Sequence, residues 1–290
     1  MSDFNQEQLM ALQKKSLEMA KYFADFCEEN QLLCYLCGGG CIGTLRHKGF
    51  IPWDDDLDFF MPRKDYEKLI KIWNEKADTK KYYLSVSDKH HVDRNLFFTI
   101  RDKETTLIKP YQDDLDMPHG VALDVLPLDG YPDSRFKRKM QCFWALIYSM
   151  YCAQTVPVNH GKLMTIVGKM ALAMVPFKRV RYHIWTFAKK QMTKYRIEES
   201  KFITELCSGP YYMKKKYPAG AFRKAVWKEF EDTSLPIPVG ADVYLRIAFG
   251  DYMQMPPKEK RKPHHDFKYL DLEHSYLDYK GKYYCVEEGK

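Results

Sequence analysis

The 290-residue sequence has no internal repeat and no low-complexity tract, so it reads as an ordinary globular protein. It also lacks an uninterrupted apolar core near its start. The stretch MSDFNQEQLMALQKKSLEMAKYF opens acidic and interrupts its apolar residues with Lys and Gln, which excludes a secretory signal and makes a cytoplasmic protein the expectation. The eight cysteines lack regular spacing, and no second Cys/His pair follows Cys34, Cys37 and Cys41 at zinc-ribbon distance. Reduced, buried thiols are the resulting reading. Helix-turn-helix and RNA-binding signatures are absent too, so nucleic acid is not an expected partner. What is present is 45% hydrophobic and 29% charged, with a net charge of +7 that suits anionic partners such as nucleotide phosphates or lipid headgroups.

Apolar residues at 9, 12, 16/17, 19/20, 23 and 26/27 recur at helical spacing, which predicts an amphipathic helix over the first thirty residues. LLCYLC then reads as a buried strand running into a turn at Gly38, Gly39 and Gly40, followed by a short helix from Cys41 to His47. A strand over Leu57–Met61 and a helix after Pro62 come next, then strands at 82–86, 95–102 and 120–129. The composition divides the chain into a core over 1–135, a helical subdomain over 136–234 and a segment over 235–290 that packs back on the core. Met140 to Gly161 carries no charged residue, but Gln141, Gln154, Pro157 and Asn159 interrupt it and Lys169 breaks the next apolar stretch. Two readings stay open for 136–180: a buried helical hairpin, or a peripheral contact with the inner face of the cell membrane through its basic flanks RFKRK and KRVR.

The stretch GGGCIGTLRHKGFIPWDDDLDFFMPRKDY concentrates the chemistry. Asp54, Asp55, Asp56 and Asp58 repel one another, so a folded chain keeps them together only where something positive offsets them. In a strand, Asp56 and Asp58 face the same way, and paired carboxylates are hard ligands suited to Mg2+ or Mn2+ shared with a phosphorylated substrate. Glycines without Cβ atoms let backbone N–H groups approach phosphate, and Arg46 and Lys48 add positive charge nearby. A third carboxylate is required for such a site, and Asp124 in HGVALDVLPLD is the best candidate because apolar residues flank it on both sides; Asp102 and Asp129 are the alternatives.

The run GGGCIGTLRHKGFIPWDDDLDFFMPRKDYEKL resembles the signature of the LicD family, bacterial phosphocholine transferases related to fukutin and fukutin-related protein. HGVALDVLPLD resembles the family's second acidic motif, and YLRIAFGDYMQMPP with KPHH resembles its C-terminal block. The resemblance implies an α+β, nucleotidyltransferase-like fold: a mixed sheet flanked by helices, with Gly39 and Gly40 in the turn and Asp56, Asp58 and Asp124 on the metal. One departure is visible. The turn is Gly-Gly-Gly-Cys where many members have Gly-Gly then Ser or Thr, and Thr44 is the nearest replacement hydroxyl.

The activity the resemblance implies is transfer of phosphocholine from CDP-choline to a sugar hydroxyl of a lipid-linked surface glycan, teichoic acid or lipopolysaccharide in type, with release of CMP. His119 and His264 are candidate phosphate contacts. Trp53 is the aromatic residue nearest the metal motif for a choline cage. Three other readings remain: transfer of a different group on the same fold (phosphoethanolamine, a polyol phosphate or a nucleotide), a metal-dependent glycosyltransferase, and a non-catalytic glycan-binding scaffold.

Overall fold

The computed structural model describes residues 5–154, 162–263 and 265–287. Helix α1 (Gln6–Glu29) starts at a capping box in which Gln8 N–H donates to Asn5 Oδ1 at 2.7 Å and Asn5 N–H to Gln8 Oε1 at 3.2 Å. Its predicted apolar stripe is buried, and Phe23 meets Phe59 of the sheet edge-on at 4.9 Å. Strand β1 (Tyr35–Leu36) leads into α2 (Gly38–Arg46), then β2 (Asp58–Pro62) and α3 (Arg63–Lys76). The glycines are thus the first turn of a helix rather than a loop before one.

Next come β3 (Tyr82–Ser85), β4 (Phe98–Asp102), β5 (Thr106–Ile108) and the long strand β6 (Ala122–Tyr131). The first half of β6 lies between β2, which runs parallel to it, and β4, which runs antiparallel. Strand β2 follows β6 as far as Leu128, from where β7 (Phe202–Glu205), itself paired with β8 (Tyr217–Pro218), pairs with β6 through Tyr131. Strand β1 lies antiparallel on the outer side of β2, and β3 on that of β4, so the seven-stranded sheet is mixed. Pro127 falls in the gap after β4 leaves Val125 and before β7 joins at Leu128. A central strand tolerates proline there because one neighbouring strand is missing at that point. Strand β6 is nonetheless buried along most of its length.

Three helices follow: α4 (Arg135–Ala153), α5 (Lys162–Met174) and α6 (Lys178–Met192). Ala145, Tyr148, Tyr151 and Cys152 of α4 pack with Trp185, Ala188 and Met192 of α6 in a second apolar cluster. Gln141 Nε2 ties this layer to the sheet by donating to Gly130 O at 2.9 Å and Met192 O at 3.0 Å. Residues 155–161, part of the uncharged stretch, lie outside the described residues. No helix among the described residues is long and apolar enough to cross a membrane.

The chain returns to the sheet at β7, builds a hairpin from β9 (Ala225–Phe230) and β10 (Thr233–Pro238), and continues through α7 (Ala241–Phe249) to β11 (Tyr269–Asp271). Tyr244 of α7 packs edge-on against Phe60 at 5.6 Å, and β11 pairs with β5. The cysteines are unpaired, with Cys34, Cys37 and Cys41 buried.

Candidate active site

Register places Asp58, the first residue of β2, directly opposite Asp124 of β6. Residues in register on adjacent parallel strands point to the same face, so two carboxylates project side by side from neighbouring strands about 4.8 Å apart. Asp54, Asp55 and Asp56 reach the same place from the irregular segment before β2. The sequence-based strand started one residue too early: Asp56 sits in that segment, not on the strand.

Electrostatics show how crowded the carboxylates are. Burial raises the Asp58 carboxyl well above its ordinary pKa, and the charges of Asp56 and Asp124 raise it further. Asp54 is pushed up to about 8 by burial, then by Asp56 and Asp55. Asp56 is raised by burial, while His265 pulls it back. Positive charge comes from two residues that were not among the candidates, Lys109 and His265, although His265 closes the KPHH block. Lys109 Nζ lies 3.8 Å from Asp124 Oδ2. Burial alone would lower this ammonium's pKa, yet Asp124 and the other neighbours raise it overall. The second is His265, whose Nδ1 is 3.0 Å from Asp55 Oδ1 and 3.5 Å from Asp56 Oδ2, and whose backbone N–H donates to Asp55 Oδ2 at 3.0 Å.

The hydrogen bond to Asp55 raises His265 to about 9, against the opposing effect of burial. A raised histidine contributes stability that is complete below its ordinary value near 6.5 and is lost as pH climbs through about 9. In the metal-free protein the His265 ring should therefore titrate near 9 by NMR, and hydrogen exchange around residues 265–267 should accelerate across that pH; a midpoint near 6.5 would contradict the Asp55 contact.

Gly39 allows Asp54 to approach α2. A Cβ there would stand 2.0 Å from Asp54 Oδ2, so the carboxylate lies against the first turn of the helix, where the dipole favours negative charge. Gly39→Ala forces that carboxylate aside and is expected to cost about 1–3 kcal/mol, read as a lower denaturant midpoint. Gly40 has a packing reason instead, since its Cβ would meet Leu36 and Leu57 side chains at 3.1 Å each.

The comparisons with known proteins follow this geometry. A family model described as LicD/FKTN/FKRP, nucleotidyltransferase domain, matches residues 31–119. Along most of its length the chain is also similar to the lipopolysaccharide cholinephosphotransferase LicD of Haemophilus influenzae, at 27% identity over 259 residues, 86% of this chain and 92% of the relative. Asp54, Asp55, Asp56, Asp58 and Lys109 lie inside the matched residues 31–119, and Asp124 and His265 lie beyond them.

The residues fit a divalent cation. Ligand atoms of Asp55, Asp56 and His265 all lie within 4.8 Å of one another. Asp124 Oδ1 is buried without a hydrogen-bond partner, which is costly unless something positive faces it. Carboxylate-rich sets of this kind suit Mg2+ or Mn2+.

The remaining candidates are engaged elsewhere. Thr44 is buried in α2 and its hydroxyl donates to Gly40 O at 2.8 Å. Arg46 donates to Tyr252 O at 2.6 Å and Gln254 O at 3.3 Å, although it stays near enough to lower the Asp54 pKa. Lys48 pairs with Glu229 at 3.1 Å on the β9–β10 hairpin, exposed to solvent. Asp129 is held by Arg63, and Asp102 accepts from Glu104 N–H at 2.9 Å and lies 3.8 Å from Lys15, so both alternatives to Asp124 have structural partners. His119 is buried beside Tyr284, with burial lowering it to about 4. His264 lies outside the described residues. Trp53 has the Arg261 guanidinium over one face of its ring at 5.7 Å.

Proposed function

We propose that the protein is a transferase that moves phosphocholine from CDP-choline to a sugar hydroxyl of a cell-surface glycan, lipid-linked and of the lipopolysaccharide or teichoic acid type, releasing CMP with the help of Mg2+ or Mn2+. The observation that carries this reading is the in-register pair Asp58 and Asp124 beside Asp54–Asp56, within a chain similar along most of its length to a cholinephosphotransferase. Asp56, Asp58 and Asp124 hold the cation, with Asp55 and His265 close by. When bound, the cation neutralises charge on the pyrophosphate.

The chain's own residues supply the rest. Lys109, fixed beside Asp124, and the protonated His265 ring, fixed by Asp55, give positive charge where phosphate oxygens would lie. In this reading Asp124, whose Oδ1 has no hydrogen-bond partner, accepts the proton of the acceptor hydroxyl as it attacks. On this account Lys109→Met lowers kcat/KM at least about tenfold, whereas Lys48→Ala, which removes only an exposed ion pair, changes it by less than about twofold. Steady-state kinetics of the two variants check the contrast.

The decisive experiment is phosphorus NMR of CDP-choline, CDP-ethanolamine and CDP-ribitol, each with magnesium and protein, beside an Asp58→Asn control. Metal-dependent cleavage of CDP-choline that the control lacks supports the reading. Cleavage of another donor alone keeps the site and changes the alcohol. No magnesium-dependent nucleotide binding at all overturns the reading in favour of a glycan-binding scaffold.

A further inference from the structure

From Ser134 to Ile197 the sequence contains 13 Lys and Arg and no Asp or Glu. The chain as a whole is +7, so the residues outside this stretch sum to −6. Eleven of the thirteen lie on α4, α5 and α6, so the protein's excess positive charge is concentrated on these helices. The same layer displays apolar side chains that the core does not use: Phe136 is 73% exposed, Met174 74% and Phe177 70%.

These side chains form a surface rather than scattered points. Phe136 and Phe143 are seven residues apart on α4, and Phe177, Val180 and Phe187 recur at helical spacing across the start and body of α6. Trp144 joins the two faces, its ring 5.2 Å from Phe143 and 5.3 Å from Phe187. The turn between α5 and α6 is firmly held, because Arg181 donates to Leu172 O at 2.8 Å and Val175 O at 2.7 Å. Met174 and Phe177 are thus projected from a braced corner. Lys178 and Arg179 stand beside them in the first turn of α6, exposed and without a carboxylate partner among the described residues. Cations at a helix N-terminus oppose the dipole, which makes this corner an attractor of external anions.

We propose that this corner, continued along the exposed face of α4, docks on an anionic lipid bilayer. Met174 and Phe177 insert among the headgroups, and Lys178 and Arg179 meet the lipid phosphates. A second copy of the chain is a poorer occupant, since both copies would bring the same positive charge. The inference goes beyond the transfer reading and is independent of it, because binding to lipid is measured without donor or acceptor.

The test is sedimentation of the full chain with vesicles of phosphatidylcholine alone or mixed with phosphatidylglycerol. The expected result is binding to the mixed vesicles only, weakened at least about tenfold by raising salt toward 1 M, by the pair Met174→Ser and Phe177→Ser, and by the pair Lys178→Glu and Arg179→Glu. Thermal melts of both variants should match the parent, as all four side chains are exposed. Absence of binding to mixed vesicles overturns the proposal, as does binding that either pair leaves unchanged. Self-association that the serine pair abolishes, without vesicle binding, assigns the face to a second copy and equally overturns it.

Discussion

Asp58→Asn is expected to lower the proposed transfer by about 10²–10³-fold while making the metal-free protein more stable at neutral and alkaline pH. The two effects have one origin. Burial, then Asp56 and Asp124, raise the Asp58 carboxyl far above its ordinary 3.8. An acid raised by folding is bound to its proton more tightly in the native state, so stability is highest near or below the ordinary value and falls as pH rises toward the folded one. Asparagine carries no charge to desolvate and escapes that loss. Thermal melts without metal should show the variant above the parent at pH 8 and the difference closing toward pH 4. Magnesium should reverse the order. A cation at 100 times its dissociation constant adds about 2.7 kcal/mol to the parent, and the variant should lose most of that gain. A variant that melts lower than the parent without metal would contradict the crowding described for this site.

Asp129→Ala is expected to cost about 3–5 kcal/mol, because it leaves a buried guanidinium without its partner. Arg63 Nε and Nη2 donate to the two Asp129 oxygens at 2.9 and 2.7 Å, and the Asp129 side chain is fully buried. Urea titration should give a lower midpoint at unchanged slope. Asp129→Asn keeps one acceptor and should cost less. Turnover per folded molecule should stay near that of the parent in the asparagine variant, in contrast to Asp124→Asn. Loss of turnover with stability intact would instead make Asp129 part of the chemistry.

Local pattern carried a good part of the fold. The stripe on α1, proline ahead of α3 and the apolar runs of β4 and β6 each follow from residues a few positions apart, and both strands stand within about three residues of their expected bounds. Other features depend on partners far away. Strand β7 is four residues long and exists because the second half of β6 needs a neighbour where β4 has ended. The stretch after α6 therefore returns to the sheet, which composition could not reveal. The site divides in the same way. Asp58 and Asp124 stood out because charges inside apolar runs need a reason. Lys109 and His265 did not, since each acquires its meaning only from a carboxylate in another element. Thr44 and Lys48 drew attention by their nearness in sequence to the glycines, but α2 turns the first inward and the hairpin claims the second.

The contact between Asp55 and His265 spans 210 residues. During synthesis at about 5–20 residues per second, the acidic segment emerges roughly 10–40 s before its imidazole partner does. Through that interval the carboxylates are without the His265 cation, and the final seating of the segment around His265 awaits the 210 residues that separate it from Asp55. Maturation of the site therefore waits on the arrival of His265 rather than on pairing of the strands that carry Asp58 and Asp124.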